Sequence, residues 1–72
     1  MVRKRYVVRF RVSPDSLTWL VECEGEVLSR HCRKRDAVRE AAGRARTTRP
    51  SVLVIHRIDG TRSGERRYGR DQ

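Results

Sequence analysis

Four side chains of this sequence have the chemistry to bind a metal ion, namely those of Cys23, His31, Cys32 and His56. Zinc sites usually draw about four sulfur or nitrogen ligands from closely spaced pairs of the kinds C-x₂₋₄-C and H-x₃₋₅-H. Here eight residues separate the two cysteines. Because adjacent residues of a strand or helix point in different directions, His31 and Cys32 are poor co-ligands. The spacing therefore predicts neither a metal site nor another cofactor.

Cys32 is the residue best suited to nucleophilic chemistry, because three cations, Arg33-Lys34-Arg35, follow it. Nearby cations and a helix N-terminus favour the thiolate form of a cysteine. Catalysis would also require a base, an orienting group and a concave pocket, and neither His31 nor His56 has an acidic partner at a suitable spacing. We therefore predict no catalytic residue, no enzyme activity and no small-molecule substrate.

Positive charge is the strongest signal in the composition. The 72 residues include 18 lysines and arginines against 9 acidic residues, for a formal net charge of +9, and sixteen of the basic residues are arginine. Such a balance favours polyanionic partners, because basic side chains displace condensed counterions from phosphates. A second interpretation stays open, since proteins encoded by GC-rich genomes also carry an excess of arginine on surfaces that have no binding role.

The basic residues form two rows if the chain folds as its periodicity predicts. One row occupies alternate positions of a first strand, and the other occupies a narrow sector of a helix. The residues that we expect to contact phosphates are Arg5, Arg9, Arg11, Arg30, Arg33, Lys34, Arg35, Arg39 and Arg46. Because the aromatic residues of the first two strands share the core-facing side, we expect contacts with the phosphates of DNA or RNA rather than with bases.

Acidic neighbours could neutralise part of each row. The strand row has glutamates on the neighbouring strand, and the helix has acids three or four residues from arginines. The ion pairs predicted in this way are Arg5–Glu24, Asp36–Arg39 and Glu40–Arg44, together with Glu22 diagonal to both Arg5 and Arg9. These acids are fewer than the basic residues, so some positive field remains.

Two runs of alternating apolar and polar residues predict an antiparallel hairpin around the turn Ser13-Pro14-Asp15-Ser16. Pairing the two runs across this turn brings Trp19 near Phe10 and Val21 near Val8, on the side that becomes the core. Cys23 continues the same alternation and is most simply a small core residue.

Further elements follow from the change of period after the hairpin. The pattern predicts a short third strand over 26–29, a helix from about residue 34, a buried strand over 51–57 and a return strand over 62–68. Asp59-Gly60 supplies the turn before the return strand, because glycine accepts a positive φ. The order β-β-β-α-β-β predicts an α+β domain, in which one helix packs on one face of a small, mostly antiparallel sheet.

Three groups of residues stand in a distinctive order and spacing. They are Trp19-Leu20-Val21-Glu22 with Glu24-Gly25, Lys34-Arg35-Asp36-Ala37-Val38 with Ala41-Ala42, and Leu53-Val54-Ile55-His56 with Asp59-Gly60 and Arg67-Tyr68-Gly69. In these groups the chain resembles the W-x-V strand and turn, the T-K-x-E-A helix start and the closing Y-G hairpin of a small prokaryotic family. That family is catalogued as domain of unknown function 2188. The resemblance covers about residues 6 to 71 and implies no activity, cofactor or catalytic residue.

Arg33 departs from the family pattern, which tends to place threonine or serine before the lysine. An arginine cannot accept the free amide hydrogens at a helix start, so we expect a cost of about 1 kcal/mol relative to a capping residue. Cations at the positive end of the helix dipole are also mildly unfavourable, and Asp36 is the acid that offsets them. The same helix end attracts anions, which makes Arg33 the first place to look for a bound phosphate.

The chain is predicted to be a single domain over residues 1–72, with a structured core at about 5–68 and a frayed tail at 69–72. It opens with Met1-Val2-Arg3-Lys4-Arg5, which is unlike a signal peptide, and no apolar run approaches the roughly 20 residues of a membrane span. Together with two cysteines interpreted as reduced thiols, these features predict a cytoplasmic protein without a membrane association.

A core this small is marginal for a monomer, which favours a homodimer. The sheet face away from the helix is predicted to carry Val7, Leu20, Leu53 and Ile55, an apolar patch suited to a second copy. The leading hypothesis is a non-sequence-specific module that associates with nucleic-acid phosphates. The alternative is a protein–protein or homo-oligomeric module with no nucleic-acid role, whose arginines are ordinary surface residues.

Overall fold

The computed structural model describes residues 4–69, which form five strands and one helix in the order β-β-β-α-β-β. The elements are β1 (Lys4–Ser13), β2 (Ser16–Cys23), β3 (Glu26–His31), α1 (Lys34–Thr47), β4 (Ser51–His56) and β5 (Arg62–Tyr68). The predicted α+β class, element order and single helix are confirmed. Residues 70–72 of the predicted frayed tail lie outside the described residues.

All five strands belong to one sheet with the spatial order β3-β2-β1-β4-β5. The pair β1–β4 is parallel and the other three pairs are antiparallel. A parallel pair needs a crossover connection, and α1 supplies it between β3 and β4. The first strand of the chain therefore lies at the centre of the sheet.

The β1–β2 hairpin has the predicted register. Phe10 is the cross-strand partner of Trp19, and Val8 is the partner of Val21. The rings of Phe10 and Trp19 are tilted by 54°, with their centroids 4.8 Å apart. Aromatic pairs at such distances stabilise a fold beyond the area that they bury.

The core lies between α1 and one face of the sheet. Leu53, Val8 and Val21 are fully buried there, and burial of each such side chain contributes about 1.5–3 kcal/mol. The helix contributes small side chains that permit a close approach to the strands: Ala37, Ala41, Ala42 and Ala45. The predicted helical stripe is thus confirmed, with Val38 half-buried at its edge.

Two residues expected on the face away from the helix lie in the core instead. Leu53 and Ile55 pack against the helix alanines, because β4 pairs with β1 in a register that places Leu53 beside Tyr6 and Ile55 beside Val8. The predicted apolar patch that included them is therefore wrong at these two positions. Val54, which alternates with them, takes the opposite face.

The third strand is longer than predicted, since β3 continues through Arg30 and His31. These two residues pair with Leu20 and Trp19, and a bulge between Val21 and Glu22 accommodates the pairing. Among residues 4–69, no helix is both long enough and apolar enough to cross a lipid bilayer.

Candidate nucleic-acid interface

The predicted basic residues separate onto two sides of the sheet. We call the sheet surface opposite α1 the open face, because no other element of residues 4–69 packs on it. Arg5, Arg9 and Arg11 alternate with the core residues of β1 and therefore lie on the open face. Arg30 joins them from β3. The five remaining candidates belong to the helix side: Arg33, Lys34, Arg35, Arg39 and Arg46.

Cross-strand pairing brings Arg9 and Arg30 to the two sides of one leucine. Leu20 of β2 is the partner of Arg9 on β1 and of Arg30 on β3. Since directly opposite residues of an antiparallel pair have Cβ atoms about 5 Å apart, the two arginines flank the leucine within one row across the sheet.

The last strand adds two arginines that the sequence reasoning did not include among the candidates. Arg62 is the partner of His56, and Arg67 is the partner of Val52. Both side chains bind Glu65, with Nη1 of Arg62 at 3.1 Å from Oε1 and Nε of Arg67 at 3.1 Å from Oε2. Strict alternation would put Arg62 and Arg67 on opposite faces, and the register shift between Ile55 and His56 brings them to the same one.

Beneath these arginines lies a buried apolar layer. Leu20 is 3% exposed and Val54 is 2% exposed, although both are on the face that α1 does not cover. Long arginine side chains shield apolar neighbours with their methylene stems while the guanidinium remains in water. The cross-strand neighbours that flank these two residues are Arg9 and Arg30 beside Leu20, and Val7 and Glu65 beside Val54.

Positive charge exceeds negative charge on the open face, which carries six arginines (Arg5, Arg9, Arg11, Arg30, Arg62 and Arg67) against Glu22 and Glu65. Glu22 lies 3.8 Å from Nη1 of Arg9, so the predicted Arg9–Glu22 pair is confirmed. The predicted Arg5–Glu24 pair does not form among residues 4–69, because Glu24 lies in the β2–β3 turn with a φ of 53°.

Three arginines of the open face are free of carboxylates. In the part of the chain that the structure describes, Arg5, Arg11 and Arg30 have no acidic oxygen within 4.0 Å. They come from two different strands and are all exposed. This set is the part of the open face that is available to an external anion.

On the helix side, some basic residues have partners within the protein and others have none among the described residues. Nε of Arg44 lies 2.6 Å from Oε2 of Glu40, which confirms that predicted pair. The predicted Asp36–Arg39 pair does not form among the described residues, and both side chains are exposed. Lys34 already has a partner within the protein. Its Nζ lies 5.5 Å from the centroid of the Trp19 ring, a distance at which cation–π attraction operates.

The start of α1 has the predicted defect. Arg33 is the N-cap residue, and its side chain makes no capping hydrogen bond. The first helical bond is made by the backbone, with the amide of Ala37 donating to the carbonyl of Arg33 at 3.2 Å. Asp36 is the acid of the first turn, as expected.

The cysteines and histidines have separate surroundings. Burial raises the pKa of the Cys23 thiol, whereas Cys32 is a free, exposed thiol. His31 Nε2 lies 3.0 Å from the hydroxyl of Ser29, and His56 Nδ1 donates to the carbonyl of Gly60 at 2.9 Å. No group of three or more metal-ligating side chains is found within the described range.

The family model described as an uncharacterized protein conserved in bacteria, DUF2188, matches residues 10–68. The chain belongs to this family. The DUF2188 match confirms the resemblance carried by the strand, helix and hairpin motifs. Its range includes Arg11, Arg30, Arg62 and Arg67 of the open face and begins after Arg9. Comparison with the curated proteins and with the solved structures found no match.

Proposed function

We propose that this DUF2188 protein is a binding module rather than an enzyme, and that its open face associates with nucleic acid through phosphate contacts. The observation that carries the proposal is that the open face, as residues 4–69 form it, has six arginines against two glutamates. Guanidinium groups bind phosphate oxygens with two parallel hydrogen bonds, which makes arginine the preferred residue for such contacts.

The spacing of the arginines suits a repeating anion. Residues two apart on a strand, such as Arg9 and Arg11, are about 6.7 Å apart. Each strand of a duplex carries one phosphate per roughly 3.4 Å of its axis. Successive arginines therefore meet different phosphates, and each contact releases counterions into solution.

The partner that fits this face is a duplex rather than a single strand. Single-strand binding uses aromatic side chains on which bases stack. Tyr6, Phe10, Trp19 and Tyr68 instead belong to the core or pack against it. The open face of residues 4–69 offers arginines without an aromatic platform, so binding is directed to the backbone and independent of base sequence.

Salt dependence of duplex binding tests this function. We expect log K for DNA or RNA duplexes to fall with log salt by about 0.9 for each phosphate contact. The triple variant Arg5→Gln, Arg11→Gln and Arg30→Gln keeps the stems but removes the free charges, and should reduce the slope by about 2 to 3.

A variant of equal charge provides the control. Changing Arg35, Arg39 and Arg46 to glutamine removes three charges from the helix side, and should reduce the slope by less than about 1. Equal losses from both triple variants would show a general effect of net charge and contradict the open-face interface. A slope near zero for the unchanged protein would contradict nucleic-acid binding altogether.

A second candidate function, protein–protein association as a homodimer, is favoured by an apolar pair at the end of the β1–β2 hairpin. Val12 and Leu17 are cross-strand partners and are 67% and 64% exposed. Adjacent exposed apolar side chains are typical of contact surfaces between proteins. Light scattering should give a dimer mass that Leu17→Ser reduces, and a monomer at every concentration would reject this candidate.

We also propose a cytoplasmic location. Cys23 and Cys32 are both free thiols, and reducing compartments keep exposed thiols such as Cys32 in that state. Rapid alkylation of intact cells should trap Cys32 with the alkylating reagent, and recovery of an oxidised Cys32 would contradict this location.

A further inference from the structure

A groove on the helix side of the sheet runs between α1 and β5. Its volume is about 590 Å³, within the range of roughly 300–1,000 Å³ that is usual for small-molecule sites. We call it the basic groove, because four cations line it: Lys34, Arg35, Arg39 and Arg66. Three of them come from the first two turns of α1, and Arg66 comes from the facing strand β5.

Among residues 4–69, the basic groove is lined by cations and by no carboxylate. Three other clefts of the molecule each include acidic side chains: Asp36 and Glu40 in one, Glu24 and Glu26 in the second, and Asp59 in the third. Like charges that converge from two elements repel one another, and a bound anion would offset that repulsion. The charge of this groove is therefore matched to a polyvalent anion rather than to a cation.

Apolar and hydroxyl groups complete the lining. Val38 of α1 is half-buried and Ile55 of β4 is nearly buried, and together they supply an apolar surface beside the cations. Ser63 donates its hydroxyl hydrogen to the carbonyl of Ile55 at 3.2 Å, so its oxygen remains free to accept a bond from a ligand hydroxyl. A bare inorganic anion would use the cations but not this second part of the lining.

We propose that the basic groove binds a small phosphate monoester, the chemical class of nucleoside monophosphates, with the phosphate between Arg35 and Arg66. The organic part lies against Val38 and Ile55. This site goes beyond the proposed nucleic-acid function and does not depend on it. Because the groove and the open face lie on opposite sides of the sheet, a duplex and a phosphate monoester can be bound at the same time.

Nuclear magnetic resonance titration of the full chain with adenosine 5′-monophosphate tests the proposal. The titration is run at low salt and above the second phosphate pKa of about 6. We expect saturable shifts at the amides of Val38, Ser63 and Arg66, and none at these amides with adenosine. Inorganic phosphate should shift the same amides but bind several-fold more weakly. Equal affinity for inorganic phosphate would overturn the assigned ligand class, and equal shifts with adenosine would overturn the phosphate site.

Two double variants separate the groove from a general charge effect. Arg35→Gln with Arg66→Gln should weaken binding of adenosine 5′-monophosphate at least tenfold, whereas Arg5→Gln with Arg11→Gln should change it less than twofold. All four arginines are exposed, so both variants should fold, which dispersed amide spectra verify. Equal weakening by the two variants, or shifts spread over both faces, would overturn the site. In the unchanged protein, absence of duplex binding together with saturable monophosphate binding would reject the proposed function and leave the groove site standing.

Discussion

The two cysteines of this chain differ in what surrounds the sulfur atom. Cys23 is 6% exposed and packs in the core, whereas Cys32 is exposed between β3 and α1. Burial raises the pKa of Cys23 above its ordinary value of 9.0, because the thiolate would lose its hydration. Lys4 acts in the opposite direction, whereas Glu24 of the β2–β3 turn and Glu26 of β3 add to the increase.

Thiol labelling of the native protein checks this difference. A disulfide reagent should modify the exposed Cys32 first, and Cys23 slower by orders of magnitude, since Cys23 reacts only after opening. The Cys32→Ser variant should then show only the slow phase until denaturant is added. Equal rates for the two thiols in the native protein would be inconsistent with the structure.

A second prediction concerns Asp59 in the β4–β5 turn. Thr61 donates its hydroxyl and its amide to Oδ1, at 2.7 Å and 2.9 Å, and these bonds lower the pKa of Asp59 from its ordinary value of 3.8. A carboxylate with a lowered folded-state pKa contributes stability above its unfolded-state pKa, and loses it as the pH falls through the folded-state pKa. Asp59→Asn should therefore flatten the decline of unfolding free energy below about pH 4. Parallel pH profiles for the two proteins, measured by urea denaturation, would contradict this linkage.

At the level of elements, α1 is held by its buried face rather than by its ends. Its N-terminus lacks a side-chain cap, but the helix packs its alanines on four strands of the sheet. Near its C-terminus, Ser51 of β4 is fully buried and donates its hydroxyl to the carbonyl of Ala45 at 2.6 Å. Tertiary contacts of this kind outweigh local propensity in most protein helices.

Because the N-cap residue Arg33 makes no side-chain capping bond, a substitution at this position can stabilise the fold. Arg33→Ser should increase the free energy of unfolding by about 1 kcal/mol, because serine accepts an amide hydrogen of the first turn, and by a few tenths more from the removal of a cation there. Urea denaturation measures the gain. Arg46→Ser removes the same charge from the last turn, where no cap is created, and should give no gain. An equal gain from both variants would assign the effect to net charge instead.

For the whole molecule, which has a formal net charge of +9, basic residues of the described range 4–69 lie on both sides of one sheet. The open face takes its arginines from β1, β3 and β5, and the basic groove takes its cations from α1 and β5, so β5 contributes to both surfaces. Repulsion among like charges destabilises a compact state. Electrostatic repulsion among these basic residues therefore lowers the stability of the folded state, and salt screening or a bound anion can reduce that repulsion.

Thermal unfolding in sodium chloride tests this balance. The melting temperature should rise as salt is added up to about 0.1 M, where the Debye length is close to 10 Å. Sodium phosphate at the same ionic strength should raise the melting temperature further, because an anion that binds the folded state stabilises it by mass action. A melting temperature independent of salt would show that the charges do not strain the fold.

Local patterns were sufficient to predict most of the elements. The alternation on the two sides of Pro14 and Asp15 determined the first hairpin and its register, because side chains of a strand alternate with a period of two. The alanine stripe determined the helix, and Asp59-Gly60 determined the last turn, where Gly60 has the expected positive φ of 90°. The end of β3 was not predictable in this way, since Arg30 and His31 become strand only through pairing with β2.

The sequence by itself determined the elements, the family and the excess of positive charge, because each is a property of neighbouring residues or of composition. Only the tertiary structure decided which side of the sheet the residues of β4 and β5 take. In β4, the run Val52, Leu53, Val54 and Ile55 is apolar at every position, so alternation cannot choose a face, and pairing with β1 makes the choice. The same pairing places β5 at the sheet edge, with Arg62 and Arg67 on the open face and Arg66 in the basic groove. Strand order depends on contacts between residues far apart in the chain, and no local pattern encodes it.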